Sequence, residues 1–136
     1  MGSDQGRVRQ LRLVVHAEDY DEALRFYRDV LGMPEQESYA GDGGALVAIL
    51  DAGRATLELS NTAQVSMIDD VEVGRRVAPH FRVALEVDDA QEATTAAVAG
   101  GADLIAPPTE TPWRSLNARL DAPAGVQLTL FQELDG

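Results

Sequence analysis

Laid over itself with an offset of seventy residues, the chain repeats. Leu11-Arg12-Leu13-Val14-Val15-His16-Ala17-Glu18-Asp19-Tyr20-Asp21-Glu22-Ala23 falls on Phe81-Arg82-Val83-Ala84-Leu85-Glu86-Val87-Asp88-Asp89-Ala90-Gln91-Glu92-Ala93 without a gap. Arg12/Arg82, Asp19/Asp89, Glu22/Glu92 and Ala23/Ala93 are identical, and the apolar positions coincide. With 136 residues in all, the chain is one compact domain or two small halves sharing a core, each half built to the same plan.

That plan is a strand running into a capped helix. Leu11, Leu13, Val15 and Ala17 alternate with Arg12, Val14 and His16, the period-two pattern of a half-buried strand. Asp19 followed by Glu22 reads as a capping box, and an acid is favourable at the helix's positive end. Tyr20, Leu24, Tyr27 and Leu31 recur at helical spacing and predict one apolar stripe. Gly32 supplies a left-handed stop and Pro34 prevents continuation. In the second copy Phe81, Val83, Leu85 and Val87 alternate with Arg82, Ala84 and Glu86. Asp89 and Glu92 then open an alanine-rich helix that ends near Gly100-Gly101.

Each helix is followed by three short strand-like runs. In the first half they fall at 35–40, 45–50 and 55–60, separated by Gly41-Asp42-Gly43-Gly44 and Asp51-Ala52-Gly53. In the second half they fall near Leu104-Ile105, at 115–120 and at 126–132, separated by Pro107-Pro108 and Asp121-Ala122-Pro123-Ala124-Gly125. Residues 1–7 read as a flexible N-terminus and 8–60 as the first strand–helix–strand–strand–strand module. Residues 61–79, which show no clear period, read as a linker with a short ordered piece around Val71; 80–133 form the second module and 134–136 a tail.

Composition narrows the partners. The formal net charge of −12, with no basic stripe, would repel a phosphate backbone, so no nucleic acid is expected. The surplus acid reads as a solvated surface or as steering of a cationic ligand. No apolar run approaches the ~18–20 residues needed to span a bilayer, and no membrane partner is expected. The first residues lack the apolar core of a signal peptide. The absence of cysteine excludes disulfides and thiolate metal sites, and a cytoplasmic location is the expectation.

One face of each first strand is apolar and must meet its own helix, while the other carries Arg12, His16, Arg82 and Glu86. Thr56, Glu58 and Ser60 share a face, as do Gln127, Thr129 and Phe131. These polar faces are expected together on the concave side of a curved sheet. Such a face is either simply wet, as in half-exposed antiparallel sheets, or a binding surface.

The run Leu24-Arg25-Phe26-Tyr27-Arg28-Asp29-Val30-Leu31-Gly32-Met33 resembles the helix end typical of the vicinal oxygen chelate superfamily. That superfamily includes glyoxalase I, extradiol dioxygenases, fosfomycin resistance proteins and bleomycin-binding proteins. Thr56-Leu57-Glu58-Leu59 resembles its fourth strand, and Pro112-Trp113 through Asp121 and Gly125 its closing hairpin. The resemblance covers about residues 8 to 133. It implies an α+β fold in which two βαβββ modules form a U-shaped, partly open mixed β-barrel around a pocket, with the helices outside. It also implies a homodimer.

By the same resemblance, the family's enzymes place metal ligands at positions that here are Arg12, Glu58, Arg82 and Thr129. A guanidinium stays protonated and offers no free lone pair. Thr129 is at best a weak ligand, and Glu58 alone cannot replace the three or four protein ligands a catalytic metal needs. No metal and no other cofactor is therefore expected. Three functions stay open. The first is binding of a small, anionic organic molecule in the barrel pocket. Arg12 and Arg82 would grip it, Glu58 would hold an arginine in place, and His16, Thr129 and Trp113 would line the site. The same residues could instead form a structural ion network, and Trp113 could simply pack its hairpin. The second is a metal-dependent lyase, isomerase or dioxygenase with the shifted ligands His16, Glu58 and His80. The third is antibiotic sequestration. No nucleophile–base pair is visible, and the glycines at 41, 43 and 44 lack the helix that a phosphate loop requires.

Overall fold

The computed structural model describes residues 7–135. Residues 1–6, which the sequence suggests are a loose terminus, and Gly136 of the tail lie outside the described residues. The first module runs β1 (Val8–His16), α1 (Tyr20–Leu24), β2 (Glu35–Ala40), β3 (Leu46–Ala52) and β4 (Ala55–Ser60). A further helix, α2 (Thr62–Glu72), follows it in the chain. The second module runs β5 (Phe81–Val87), α3 (Ala90–Ala99), β6 (Asp103–Glu110), β7 (Ser115–Ala122) and β8 (Val126–Glu133). The fold is α+β, and the repeat read from the sequence is a repeat of βαβββ modules. The chain divides into two compact units. One is Arg12–Arg82; the other joins Met1–Leu11 to Val83–Gly136.

In the unit Arg12–Arg82 the strand order is β2-β3-β4-β1. β1 and β4 are parallel, with Arg12 opposite Thr56, Val14 opposite Glu58 and His16 opposite Ser60. One face carries the core of Ala48, Leu50 and Leu59, against which Val15, Tyr20, Leu24 and Tyr27 pack. Asp19 caps α1 as expected, its Oδ1 accepting from the Glu22 backbone N–H at 3.1 Å. The helical stripe fails at its end. Leu31 is 57% exposed because α1 continues as a π-helical turn over Arg25–Val30, closed by the Leu31 N–H on the Phe26 carbonyl. The wider turn shifts the phase of the residues that follow it, so Tyr27 still reaches the core while Leu31 turns outward. Gly32 then stops the chain at φ +73, as its lack of a Cβ permits.

The stretch 61–79, read as a linker, holds the eleven-residue α2. Its signal was present: Asn61 followed by Gln64 is a capping pattern. The helical period was hidden because the buried residues are Gln64, Val65, Asp69 and Glu72, three of them polar. α2 packs on the sheet face opposite to α1. Its Val65, Ile68 and Asp69 enclose, with Val14, His16 and Ser60, a cavity of about 10 Å³. Both ends are tied down. The Asn61 side chain accepts from Gln64 N–H and Leu46 N–H and donates to the Gly44 carbonyl. Asn61→Ala is expected to cost about 0.5–2 kcal/mol, the range of a lost cap, measured by urea unfolding. A loss below a few tenths would show the cap to be dispensable.

In the other unit the order is β5-β8-β7-β6, with β5 and β8 parallel. Ala90, Ala93 and Ala97 of α3 lie against Val87, Ala118, Leu120 and Leu130. Asp89 caps that helix through the Glu92 N–H at 3.0 Å. Pro107-Pro108, expected to separate two strands, instead lies inside β6. This strand is at the sheet's edge, and its register shifts on either side of Ala106, so the missing N–H donors break no ladder.

Candidate functional site

Parallel pairing of β1 with β4 sets Arg12, Val14 and His16 beside Thr56, Glu58 and Ser60 on one face. Arg12 Nη1 lies 3.9 Å from Glu58 Oε1, an ion contact longer than a hydrogen bond, and each side chain keeps only 15% exposure. Arg82, at the start of β5, is 9% exposed. Burial pushes the Glu58 carboxyl above its ordinary value; Arg82 and then Arg12 oppose this, while Glu72 and Glu37 reinforce it. Glu72 is therefore a member of the cluster that sequence reasoning missed. It sits on α2, is 4% exposed, and lies close enough to Glu58 to raise its carboxyl further. Recognising Asn61-Thr62-Ala63-Gln64 as a helix start would have placed it. Thr56 Oγ1 is buried beside this cluster with no hydrogen-bond partner among the described residues.

His16 holds α2 at its first turn, its Nε2 lying 2.8 Å from Thr62 Oγ1. Its backbone N–H donates to the His80 carbonyl at 3.0 Å. Both histidines, with Arg82 and Asp69, line the small cavity under α2, which has room for about one water. Glu58 is not among its walls. Among the described residues no three His, Asp or Glu side chains come together as a metal-binding group.

Asp69 is 1% exposed and organises the chain after α2. Its Oδ2 accepts from the Val77 and Ala78 N–H groups at 2.8 and 2.9 Å and lies 3.5 Å from Arg76 Nε. This clasp fixes the segment that leads into His80 and Arg82.

Trp113 and Thr129 belong to the other unit. Trp113 is 45% exposed in the turn between β6 and β7, next to Arg114 with φ +64. The Arg114 conformation is held by Glu110 at 2.7 Å. Thr129 is 1% exposed and pairs across the ladder with Arg119, which is fully buried and donates to Gln127 Oε1 at 3.0 Å. Arg119 was also missed, although Ser115, Asn117 and Arg119 alternate on β7 in the same period-two sense as the chosen residues.

A family model described as the Glyoxalase/Bleomycin resistance protein/Dioxygenase superfamily matches residues 9–130. A search of curated protein sequences gave no match. Among solved structures, methylmalonyl-CoA epimerase from Mycobacterium tuberculosis has 19% identity and a TM-score of 0.62, covering 94% of this chain and 88% of its own. The Streptomyces coelicolor methylmalonyl-CoA epimerase in complex with 2-nitronate-propionyl-CoA has 19% identity and a TM-score of 0.60, covering 95% and 98%. A superfamily member from Vibrio splendidus 12B01 has 13% identity and a TM-score of 0.59, covering 91% and 98%. At these identities the likeness is one of fold.

Proposed function

Since the chain belongs to the glyoxalase/bleomycin resistance protein/dioxygenase superfamily, we propose that it binds a small anionic organic molecule through Arg12 and Arg82, without the family's metal ion. The supporting observation is two largely buried guanidinium groups, Arg12 and Arg82, that both act on the Glu58 carboxyl. Burying two fixed cations is costly unless acids or a ligand offset them, and such networks seldom add stability over apolar packing. Planar guanidinium forks suit a carboxylate or phosphate. The donor set at the family's ligand positions does not fit a divalent cation: two arginines have no free lone pair, and one carboxylate and one hydroxyl remain. The epimerase neighbours bear on the ligand class, since one is described in complex with methylmalonyl-CoA. An acyl thioester with a free carboxylate is therefore the first probe. The protein acts as a cytoplasmic homodimer in this reading.

Calorimetric titration with methylmalonyl-CoA and with free methylmalonate, in buffer containing a chelator, tests this reading. Saturable binding is expected, weakened about 10- to 100-fold in Arg82→Ala, the range for a lost hydrogen bond to a charged group. Equal affinity in Arg82→Ala, or binding of cationic bleomycin in place of both anions, would overturn it; the latter result is antibiotic sequestration.

A further inference from the structure

We propose a second binding site, for a small zwitterion, in the groove of about 580 Å³ between α2 and the turn that precedes β3. It is separate from the arginine–glutamate cluster and does not depend on the function proposed for it. The groove is a depression open to solvent rather than an enclosed pocket, with Asp42, Ser66, Asp70, Arg75 and Arg76 exposed, so a ligand there is held mainly by its charges. Its floor is one stripe of α2, in which Ala63, Ser66, Met67 and Asp70 recur at helical spacing. Asp42 and Gly43 form one wall, Arg75 and Arg76 the other.

The cationic wall is built before any ligand arrives. Arg76 Nη1 donates to Ser66 Oγ at 3.0 Å, and its Nε faces the fully buried Asp69 carboxylate at 3.5 Å. Asp69 is fixed in turn by two backbone N–H groups. A guanidinium oriented in this way loses little freedom on binding. Arg75 stands beside it, exposed, after the left-handed Gly74. In a chain of net charge −12, two adjacent arginines are a local exception.

The opposite charges in the same groove decide the ligand class. A simple anion drawn to Arg75 and Arg76 also meets Asp42 and Asp70. A simple cation drawn to those acids meets the arginines. A molecule carrying both a carboxylate and an ammonium group satisfies both sets, and Met67 and Ala63 offer an apolar surface to its body. A free amino acid or a dipeptide has this chemistry.

Nuclear magnetic resonance titration of the full chain with L-alanyl-L-leucine tests the site. The N-acetylated and C-amidated forms of the same dipeptide serve as the two arms. The zwitterion is expected to shift the amide signals of Gly43, Ser66 and Met67 saturably. Each capped form should bind about two- to fivefold more weakly, as for loss of one solvent-exposed ion pair. Arg75→Ala should weaken the zwitterion and the N-acetylated form by a similar factor, and Asp42→Asn the zwitterion and the amide. No saturable shift at any of the three amides overturns the proposal, as do capped forms that bind as well as the parent. Because Arg75 is exposed, the Arg75→Ala protein is expected to melt at the wild-type temperature. Unchanged affinity in both variants also overturns it.

Discussion

Asp69→Ala is expected to lower stability by about 3 kcal/mol, or roughly 10 °C in melting temperature. The reason is local. One carboxylate oxygen satisfies the N–H groups of Val77 and Ala78 and faces Arg76 at 3.5 Å, inside a unit whose α2 shields it from water. Alanine leaves two partly buried donors without an acceptor and releases the segment that leads into His80 and Arg82. Asp69→Asn separates the parts of this effect. Both backbone bonds end on the same oxygen, so the amide carbonyl can accept both, while the carboxylate's charge attraction for Arg76 is lost. The asparagine variant should therefore lose about 1 kcal/mol, since its hydrogen bonds become neutral. Equilibrium unfolding in urea measures both. An alanine variant within 1 kcal/mol of wild type would mean that the clasp is not what holds α2.

The contrast between the legible and the hidden parts of the fold follows from what each segment buries. Asp19 and Asp89 were readable as caps because each precedes an apolar stripe that meets a sheet. Each carboxylate does accept from the backbone N–H three residues on. Leu31 was misplaced because periodicity assumes a constant turn, and a π-helical turn is invisible to it. α2 escaped for a different reason. Its inward residues Gln64, Asp69 and Glu72 are polar, and two of them serve the chain around them: Asp69 the segment after the helix, Glu72 the charged cluster. A helix that buries charged and amide side chains shows no apolar stripe by which its period could be recognised. The candidate site divides in the same way. Arg12, Glu58 and Arg82 were found through the repeat and the family resemblance, and Glu72 was lost with its helix. Arg119 was overlooked because a lone arginine in a polar run reads as surface, whereas the fold buries it completely.

Glu58→Ala is expected to cost more stability near pH 4 than near pH 7, because burial opposes the Glu58 carboxylate once it ionises. Glu58→Gln keeps the shape and removes only the charge, and its effect depends on pH in a direction the site fixes. Burial outweighs the two arginines and holds the Glu58 carboxyl above its ordinary 4.5. A carboxyl raised in this way gives its full stabilisation below the ordinary value and loses it as the pH rises through the folded-state value. Glutamine does not titrate. The stability of wild type relative to Glu58→Gln should therefore be greatest near pH 4 and fall steadily towards pH 7, as read from unfolding curves of both proteins at each pH. A difference that grows with pH would mean that the arginines hold the carboxylate more strongly than burial opposes it, and the cluster would then be a structural ion network. Under the predicted trend the arginines are not there to stabilise Glu58. Glu58→Gln then removes one acid that opposes the two guanidinium groups, and an incoming anion such as methylmalonyl-CoA should bind it more tightly than wild type.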